Sequence, residues 1–495
     1  MKSRFVFIPM LFVLLAALSS ACGGTMQASK ARSRGLINRG YIVPAEDVRV
    51  AEYLNYYDQR FPEPTSGEPL ALDVRVGNTL VAPENGKVWV QVGLQAAQPD
   101  AGRRTPLNLA LVLDRSGSMG ETDKMSYLKQ SLEVFLHSLR PDDIVSIVAY
   151  SDQAEVLLPA QPVGDGSWIR ETIQRLQPQG WTNLHAGLML GFAEVEKNFD
   201  IRRNNRVLLL TDGIANRGVT DPRRIAEDAK AYNDRGIYLS TIGLGVSLDD
   251  NLLHTLAQQG HGAYHFIDSW QEMDRVFREE ADGLVEKIAR DITITLASEA
   301  GDLTYVVGYE GQPPARGAQV QMMDMGVGDS QALLALFQMR TVRKPVTVAR
   351  ITLAYTDVFG QRQRSETRTV IVAPGAADVD PLADVEVRRN AAIVQSARAL
   401  KRIDFLFTDG RYAEARELAR QMESDLREMA ALTGDAQMVE DADLFRRYQI
   451  TLSEALGETQ RDEPARSSAP LAPGQPQRWG PAITPVPSLP SITVE

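Results

Sequence analysis

The pattern of apolar and polar residues predicts an α/β domain in the middle of the chain. Between Leu107 and Leu284, short apolar runs alternate with stretches whose apolar residues recur every three or four positions. Apolar runs of this length are typical of buried parallel strands, and the wider spacing is typical of amphipathic helices. The alternation predicts a doubly wound, mostly parallel sheet with helices on both faces. The predicted strands are Leu107–Leu113, Ile144–Tyr150, Val207–Leu210, Ile237–Ile242 and Ala263–Ile267.

Strand-like alternation without helices flanks this region on both sides. It appears near residues 70–94, as in "KVWVQVGLQ", and again from Asp291, as in "DITITLAS" and "VTVARITLAY". Each block alone would expose strand edges, which packing the two blocks together would hide. We therefore expect one antiparallel β-sandwich domain with the α/β domain inserted into it. Helical spacing returns in "GRYAEARELARQMESDLREMAAL", where Gly410 marks a turn between helices.

The first 22 residues have the pattern of a secretory signal peptide. Lys2 and Arg4 precede an apolar stretch that ends at Leu18 and is followed by small residues. No later segment approaches about 18 uninterrupted apolar residues, so no other part of the sequence is expected to span a bilayer. The small residues end in Ser19-Ser20-Ala21-Cys22, which resembles the lipobox of bacterial lipoproteins. The resemblance implies lipidation of Cys22, and an ordinary signal peptide is the alternative.

The chain thus divides into seven predicted segments. The last of them carries eight prolines and few large apolar residues, and it is expected to be disordered. The segments are 1–22, signal peptide; 23–40, tether; 41–105, N-terminal helix and strands that join the β domain; 106–284, α/β domain; 285–375, β-sandwich; 382–458, helical region; and 459–495, proline-rich tail.

Composition narrows the range of partners. The chain has 495 residues and a net charge of −11, which argues against a nucleic-acid surface and is compatible with binding cations. No glycine-rich phosphate loop is present in the sequence, so a nucleotide is not expected. Cys22 is the only cysteine, and the fold must therefore form without an intrachain disulfide.

Oxygen-bearing side chains follow the strands of the α/β region. Asp114, Ser116 and Ser118 follow the first strand in "LNLALVLDRSGSMGETDKM", Thr182 opens a helix in "QGWTNLHAGL", and Asp212 follows a later strand in "VLLLTDG". In an open α/β sheet, ligands bind where loops leave the carboxyl ends of the strands. All five side chains are hard donors that suit a cation such as Mg²⁺. No cysteine or histidine pair joins them, which disfavours zinc.

Together these motifs resemble the metal-ion-dependent adhesion site of the von Willebrand factor A family. The segments "LDRSGSM", "WTNLHAGL" and "LLLTDGIANRG" match its three pieces in order, and the resemblance covers about residues 106–284. It implies that Ser116, Ser118 and Thr182 offer hydroxyls to a divalent cation, while Asp114 and Asp212 act largely through bound water. Mg²⁺ is the expected cation, with Mn²⁺ or Ca²⁺ as alternatives.

The resemblance implies a function in protein binding. Neutral direct ligands leave a divalent cation under-neutralised, so an Asp or Glu carboxylate of a partner protein is expected to complete its ligand shell. The chain as a whole also resembles bacterial envelope lipoproteins of this family. We therefore expect a lipid-anchored protein of the outer membrane, facing the periplasm or the cell surface, that is not an enzyme.

Two other functions fit the same residues. One is a serine or metal-dependent hydrolase, in which Ser118 and Asp212 would act with His185. The other is a scaffold in which the metal is purely structural. Each side chain also has a local alternative, because Ser and Thr cap helices and Asp-Gly forms turns. His261 and His265 have strand spacing on one face but lack a third metal ligand.

Overall fold

The structure is a computed structural model of the chain. It describes residues 28–59, 61–98, 105–121, 124–245, 248–267, 287–309 and 311–461, together with Glu272 and Val276. The predicted signal peptide, Cys22 and the part of the predicted tail beyond Arg461 lie outside these residues. Within the described part, no helix combines the length and the apolar composition that crossing a membrane requires.

Two helices precede the first strand. They are α1 (Ala28–Asn38) and α2 (Val50–Tyr56), separated by a 3₁₀ turn at Ala45–Asp47. Ala28 and Ala31 of α1 pack into the core of the α/β domain, whereas Leu36 and Ile37 pack among the C-terminal helices. The prediction of a tether over residues 23–40 is therefore wrong from Ala28 onward. The small residues of α1 lack a strong apolar stripe, and only tertiary contacts reveal that they are buried.

Three strands lead from these helices to the α/β domain: β1 (Leu70–Val76), β2 (Leu80–Val81) and β3 (Lys87–Ala96). The α/β domain then contains, in chain order, β4 (Leu107–Asp114), α3 (Lys124–Leu136), β5 (Ile144–Tyr150), β6 (Ala154–Pro162), α4 (Ser167–Gln174), α5 (Leu184–Glu196), β7 (Asn204–Thr211), α6 (Pro222–Asn233), β8 (Tyr238–Leu244), α7 (Asp250–Gln259) and β9 (His261–Ile267).

The α/β domain has the predicted fold class. Its six strands lie in the order β6-β5-β4-β7-β8-β9. All neighbouring pairs are parallel except β5 and β6, which are antiparallel. The central strand β4 is buried along its whole length, because α3 and α4 cover one face of the sheet and α5, α6 and α7 cover the other. The sequence did not predict β6, an edge strand with several exposed residues.

The strands after the α/β domain complete a sandwich. They are β10 (Lys287–Ser298), β11 (Asp302–Val306), β12 (Gly317–Gln321), β13 (Met325–Gly326), β14 (Ser330–Gln338), β15 (Val346–Asp357) and β16 (Arg362–Pro374). One sheet has the order β1-β3-β14-β11, and the other has the order β12-β10-β15-β16-β2 with β13 beside β10. Because β3 pairs with β14 along its length, the α/β domain is an insertion between strands of one sandwich.

Three long helices form the C-terminal region: α8 (Val385–Thr408), α9 (Tyr412–Thr433) and α10 (Ala436–Arg461). Gly410 lies between the first two helices with φ +75°, as the turn there requires. The last helix continues to Arg461, three residues into the segment predicted as a disordered tail. Apolar residues of α8, α9, α10 and the N-terminal helices share one core.

A buried cluster of charges joins the N-terminal helices to the α/β domain. Nη1 of Arg49 lies 2.6 Å from Oδ2 of Asp250, the first residue of α7, and Nε of Arg49 lies 2.5 Å from Oε1 of Glu52. The other oxygen of Asp250 accepts a hydrogen bond of 2.6 Å from the hydroxyl of Tyr264 on β9. Both carboxylates are almost completely buried, so each depends on its cationic partner for solvation.

We expect replacement of Arg49 to destabilise the protein more than replacement of a surface arginine. Arg49→Met leaves Asp250 and Glu52 without their main cation, and removing one partner of a buried pair costs about 3–5 kcal/mol. Arg202→Met is the matched control, because Arg202 is exposed and pairs with the nearby Asp200; it should cost less than about 1 kcal/mol. Urea denaturation measures the free energy of unfolding of each variant. Equal losses in the two variants would contradict the conclusion that the buried pairs of Arg49 stabilise the fold.

Candidate metal centre

Three loops meet at the carboxyl edge of the sheet. The loop after β4, the loop before α5 and the loop after β7 are tied by backbone hydrogen bonds. The N–H of Gly117 donates to the carbonyl of Gly180 over 3.0 Å, and the N–H of Asn216 donates to the carbonyl of Thr182 over 3.1 Å. The side chain of Asn216 accepts from the N–H of Thr182 over 2.8 Å, so these two residues bond reciprocally. The three loops therefore form one rigid surface.

Asp114, at the end of β4, is buried and held on both carboxylate oxygens. Oδ1 accepts from the N–H of Ser116 over 2.8 Å. Oδ2 accepts from the hydroxyls of Thr211 over 2.8 Å and Tyr150 over 3.3 Å. Burial raises the pKa of Asp114 to about 6, although the hydrogen bonds from Ser116 and Thr211 act in the opposite direction. The carboxylate is therefore fixed in place, and its charge is poorly solvated.

The other four predicted residues lie at the same edge of the sheet as Asp114. The hydroxyls of Ser116 and Ser118 are 3.1 Å apart, and Ser118 donates to Oδ1 of Asp212 over 2.8 Å. A Cβ placed on Gly213 would lie 3.5 Å from the Thr182 hydroxyl oxygen and 3.9 Å from that of Ser118. Both hydroxyls thus border a space that the glycine keeps open. The structure brings all five predicted residues into one cluster.

This donor set fits a hard divalent cation. It consists of three neutral hydroxyls and two carboxylates, all oxygen, gathered around one small space. In the part of the chain that the structure describes, no group of three or more His, Cys, Asp and Glu side chains is placed to hold a metal. The candidate site therefore depends on hydroxyl donors as well as on its two carboxylates.

Sequence reasoning missed four residues that organise the site: Thr211, Tyr150, Asn216 and Lys124. The first three act through hydrogen bonds to Asp114 or Thr182. Nζ of Lys124 lies 2.7 Å from Oδ2 of Asp212. The sequence did indicate a contact for Lys124. A lysine in the first turn of a helix interacts unfavourably with the helix dipole, so a nearby carboxylate is expected to pair with it.

The sequence also offered His185, His261 and His265 as candidate site residues. Nε2 of His185 is 3.0 Å from Oδ2 of Asp228 on α6, while the Ser118 hydroxyl bonds to Asp212. The predicted combination of Ser118, Asp212 and His185 therefore does not form a hydrogen-bonded triad in this structure. His261 is exposed, with Nδ1 3.8 Å from Asp324, whereas His265 is buried.

The raised pKa of Asp114 predicts that cation binding weakens in acid. Since a proton and a cation compete for this carboxylate, Mg²⁺ affinity should fall about ten-fold between pH 7 and pH 5, as measured by titration calorimetry. The folded pKa lies above the ordinary value of 3.8, so this group's contribution to stability is present at low pH and lost as pH rises through about 6. Protonation of Asp114 by itself is therefore not expected to destabilise the fold, and equal affinity at both pH values would contradict the prediction.

Comparisons with known proteins find similar sequences and folds. Residues 109–214 match the family model of the von Willebrand factor type A domain, and residues 15–87 match a second model described as von Willebrand factor. The chain is 28% identical over 293 residues to the uncharacterized protein YfbK of Escherichia coli (strain K12), covering 57% of this chain and 50% of the relative. It is 30% identical over 190 residues to the uncharacterized protein sll0103 of Synechocystis sp., covering 38% of this chain and 44% of the relative.

A eukaryotic relative and a solved structure extend these matches. The chain is 26% identical over 219 residues to human inter-alpha-trypsin inhibitor heavy chain H3, covering 42% of this chain and 24% of that protein. The chain thus spans half or less of the length of these curated relatives. The structure of a von Willebrand factor type A protein from Catenulispora acidiphila superimposes with a TM-score of 0.52 at 17% identity, covering 75% of this chain and 88% of that one. Residues 109–214 thus match the model of the von Willebrand factor type A domain, and the superposition shows that the two chains share a fold.

Proposed function

We propose that this protein binds a partner protein through a divalent cation at the carboxyl edge of the α/β sheet. The observation that carries the proposal is the convergence of hydroxyl and carboxylate oxygens from three separate loops. We propose Mg²⁺ as the cation, with Mn²⁺ or Ca²⁺ as alternatives. Its binding residues would be Asp114, Ser116, Ser118, Thr182 and Asp212.

The residues have distinct roles in this proposal. Ser116, Ser118 and Thr182 offer neutral hydroxyls, which bind a cation without cancelling its charge. Asp114 and Asp212 supply negative charge and orient the hydroxyls; Asp212 already accepts a hydrogen bond from Ser118. A bound cation would supply positive charge that attracts an external Asp or Glu carboxylate. Because Mg²⁺ demands near-octahedral geometry, the loop-to-loop hydrogen bonds that fix these side chains matter for its affinity.

Two exposed apolar residues beside the site favour partner binding over a purely structural metal. Trp181 precedes Thr182 and is 61% exposed, and Ile214 follows Asp212 by two residues and is 57% exposed. Large aromatic side chains exposed at a rigid surface are typical energetic centres of protein interfaces. The site thus suits a partner segment that carries an acidic residue beside an apolar one.

We propose binding rather than catalysis at this site. Hydrolysis by the predicted combination of Ser118, Asp212 and His185 would need His185 beside the serine, and His185 is instead bonded to Asp228. We further propose that the protein is anchored in the cell envelope by a lipid on Cys22, at the outer membrane facing the periplasm or the surface. The support for the anchor is the sequence pattern of residues 1–22.

The first test removes the carboxylates. Asp114→Ala and Asp212→Ala should abolish Mg²⁺ binding in calorimetry and should abolish the Mg²⁺-dependent capture of envelope proteins on immobilised full-length chain. EDTA should release the same proteins from the wild type. Asp234→Ala is the control, because Asp234 is an exposed carboxylate of the same domain. The proposal would be refuted if the Asp114 and Asp212 variants bound Mg²⁺ and the captured proteins like the wild type, and if EDTA released none of these proteins.

The second test separates partner contact from metal binding. Trp181→Ala and Ile214→Ala should each weaken the captured partner's affinity by about ten-fold or more, in the range of interface hot spots, while Mg²⁺ affinity stays unchanged. Ile201→Ala is the matched control: Ile201 is 90% exposed but precedes β7, at the opposite edge of the sheet. If the Trp181 and Ile214 variants bind the partner like wild type, a purely structural metal becomes the better explanation.

A further inference from the structure

Lys124 places a positive charge inside the candidate metal centre. Its Nζ lies 2.7 Å from Oδ2 of Asp212 and 3.3 Å from the carbonyl oxygen of Ser118. The other oxygen of Asp212 accepts the Ser118 hydroxyl. The Lys124 side chain is only 17% exposed and that of Asp212 is completely buried, so water screens this pair weakly.

Apart from its contact with Asp212, Lys124 lies at an electrostatically unfavourable position. It is the first residue of α3, where the helix dipole repels a cation. A more exposed carboxylate, that of Glu121, is within 3.9 Å, but the ammonium makes its short contact with Asp212. The stem of the lysine passes close to Gly245, where an added Cβ would lie 3.6 Å from Cε. The glycine therefore leaves room for the stem of the lysine beside the site.

A count of formal charges shows what the lysine does to a bound cation. Asp114 and Asp212 together carry two negative charges, which balance a divalent cation. Lys124 adds one positive charge, so the loaded site would be net positive by one. Without the lysine the same site would be neutral and would have less attraction for an outside carboxylate.

We propose that Lys124 is a positioning residue that lowers the affinity of the site for its cation and raises the affinity of the loaded site for a carboxylate. Its ammonium holds one oxygen of Asp212, which leaves the other oxygen to orient the Ser118 hydroxyl. Its charge repels the cation and supports a negative ligand. This inference rests on the proposed function. It identifies Lys124 as the residue that sets the relative affinities of the site for the metal and for the partner carboxylate.

The test compares Lys124→Gln, Lys124→Met and Lys124→Arg in the full-length protein. Mn²⁺ is the probe, titrated by calorimetry in a buffer without carboxylates. Removing a unit charge a few ångströms from a divalent ion should tighten Mn²⁺ binding by about ten-fold in the Gln and Met variants, whereas the Arg variant should stay close to wild type. Lys129→Gln is the control, because Lys129 lies on the same helix and donates to Gln174 on α4.

Acetate then reports on the carboxylate site. Bound Mn²⁺ accelerates the relaxation of acetate methyl protons, and this enhancement should saturate at about ten-fold higher acetate concentration in Lys124→Gln and Lys124→Met than in wild type. Circular dichroism before each titration verifies folding. Equal Mn²⁺ and acetate affinities in all variants would overturn the role of Lys124 alone. A wild-type protein that binds none of Mn²⁺, Mg²⁺ and Ca²⁺ would overturn the proposed function with it.

Discussion

The parallel pairing of β4 with β7 is the constraint on which the site depends. The register sets Leu113 beside Leu210, so each strand ends at the same edge of the sheet. Asp114 therefore lies next to Thr211, which donates to it, and Asp212 follows one residue later. A shift of this register by one residue would turn alternate side chains to the opposite face and separate the two carboxylates. The buried apolar residues of both strands hold the register, so the hydrophobic core determines the geometry of the polar site.

A second constraint holds the domain against its neighbours. Helix α1 contributes Ala28 and Ala31 to the core of the α/β domain and Leu36 to the core of the C-terminal helices. On the same helix, Nζ of Lys30 lies 2.9 Å from Asp441 on α10 and over the ring of Tyr57. Together with the Arg49–Asp250 contact, these interactions link the N-terminal helices to both the α/β domain and the C-terminal helices.

Much of this organisation could be predicted from the sequence, and the exceptions have a common cause. The central strands and the clustering of the five oxygen-bearing side chains were predictable because apolar runs and short motifs are local signals. Helix α1 was not, because its alanines pack into one core and its few large apolar residues pack into another. Lys124 was not assigned to the site, because its partner Asp212 is 88 positions away and only the folded register brings them together. Residues whose role depends on contacts between distant segments leave little trace in local periodicity.

The insertion of one domain into another also has a consequence for the order of folding. Gln91 of β3 pairs with Leu334 of β14. Because β14 is synthesised more than two hundred residues after β3, the pairing of these two strands cannot form until late in synthesis. The inserted sheet needs only its own strands and can form in the meantime. Bringing the two ends of such an insertion together costs less chain entropy once the insertion is compact. We therefore expect the α/β domain to fold first and the sandwich to close around its base last, with β1 and β3 the segments most in need of protection from aggregation until then.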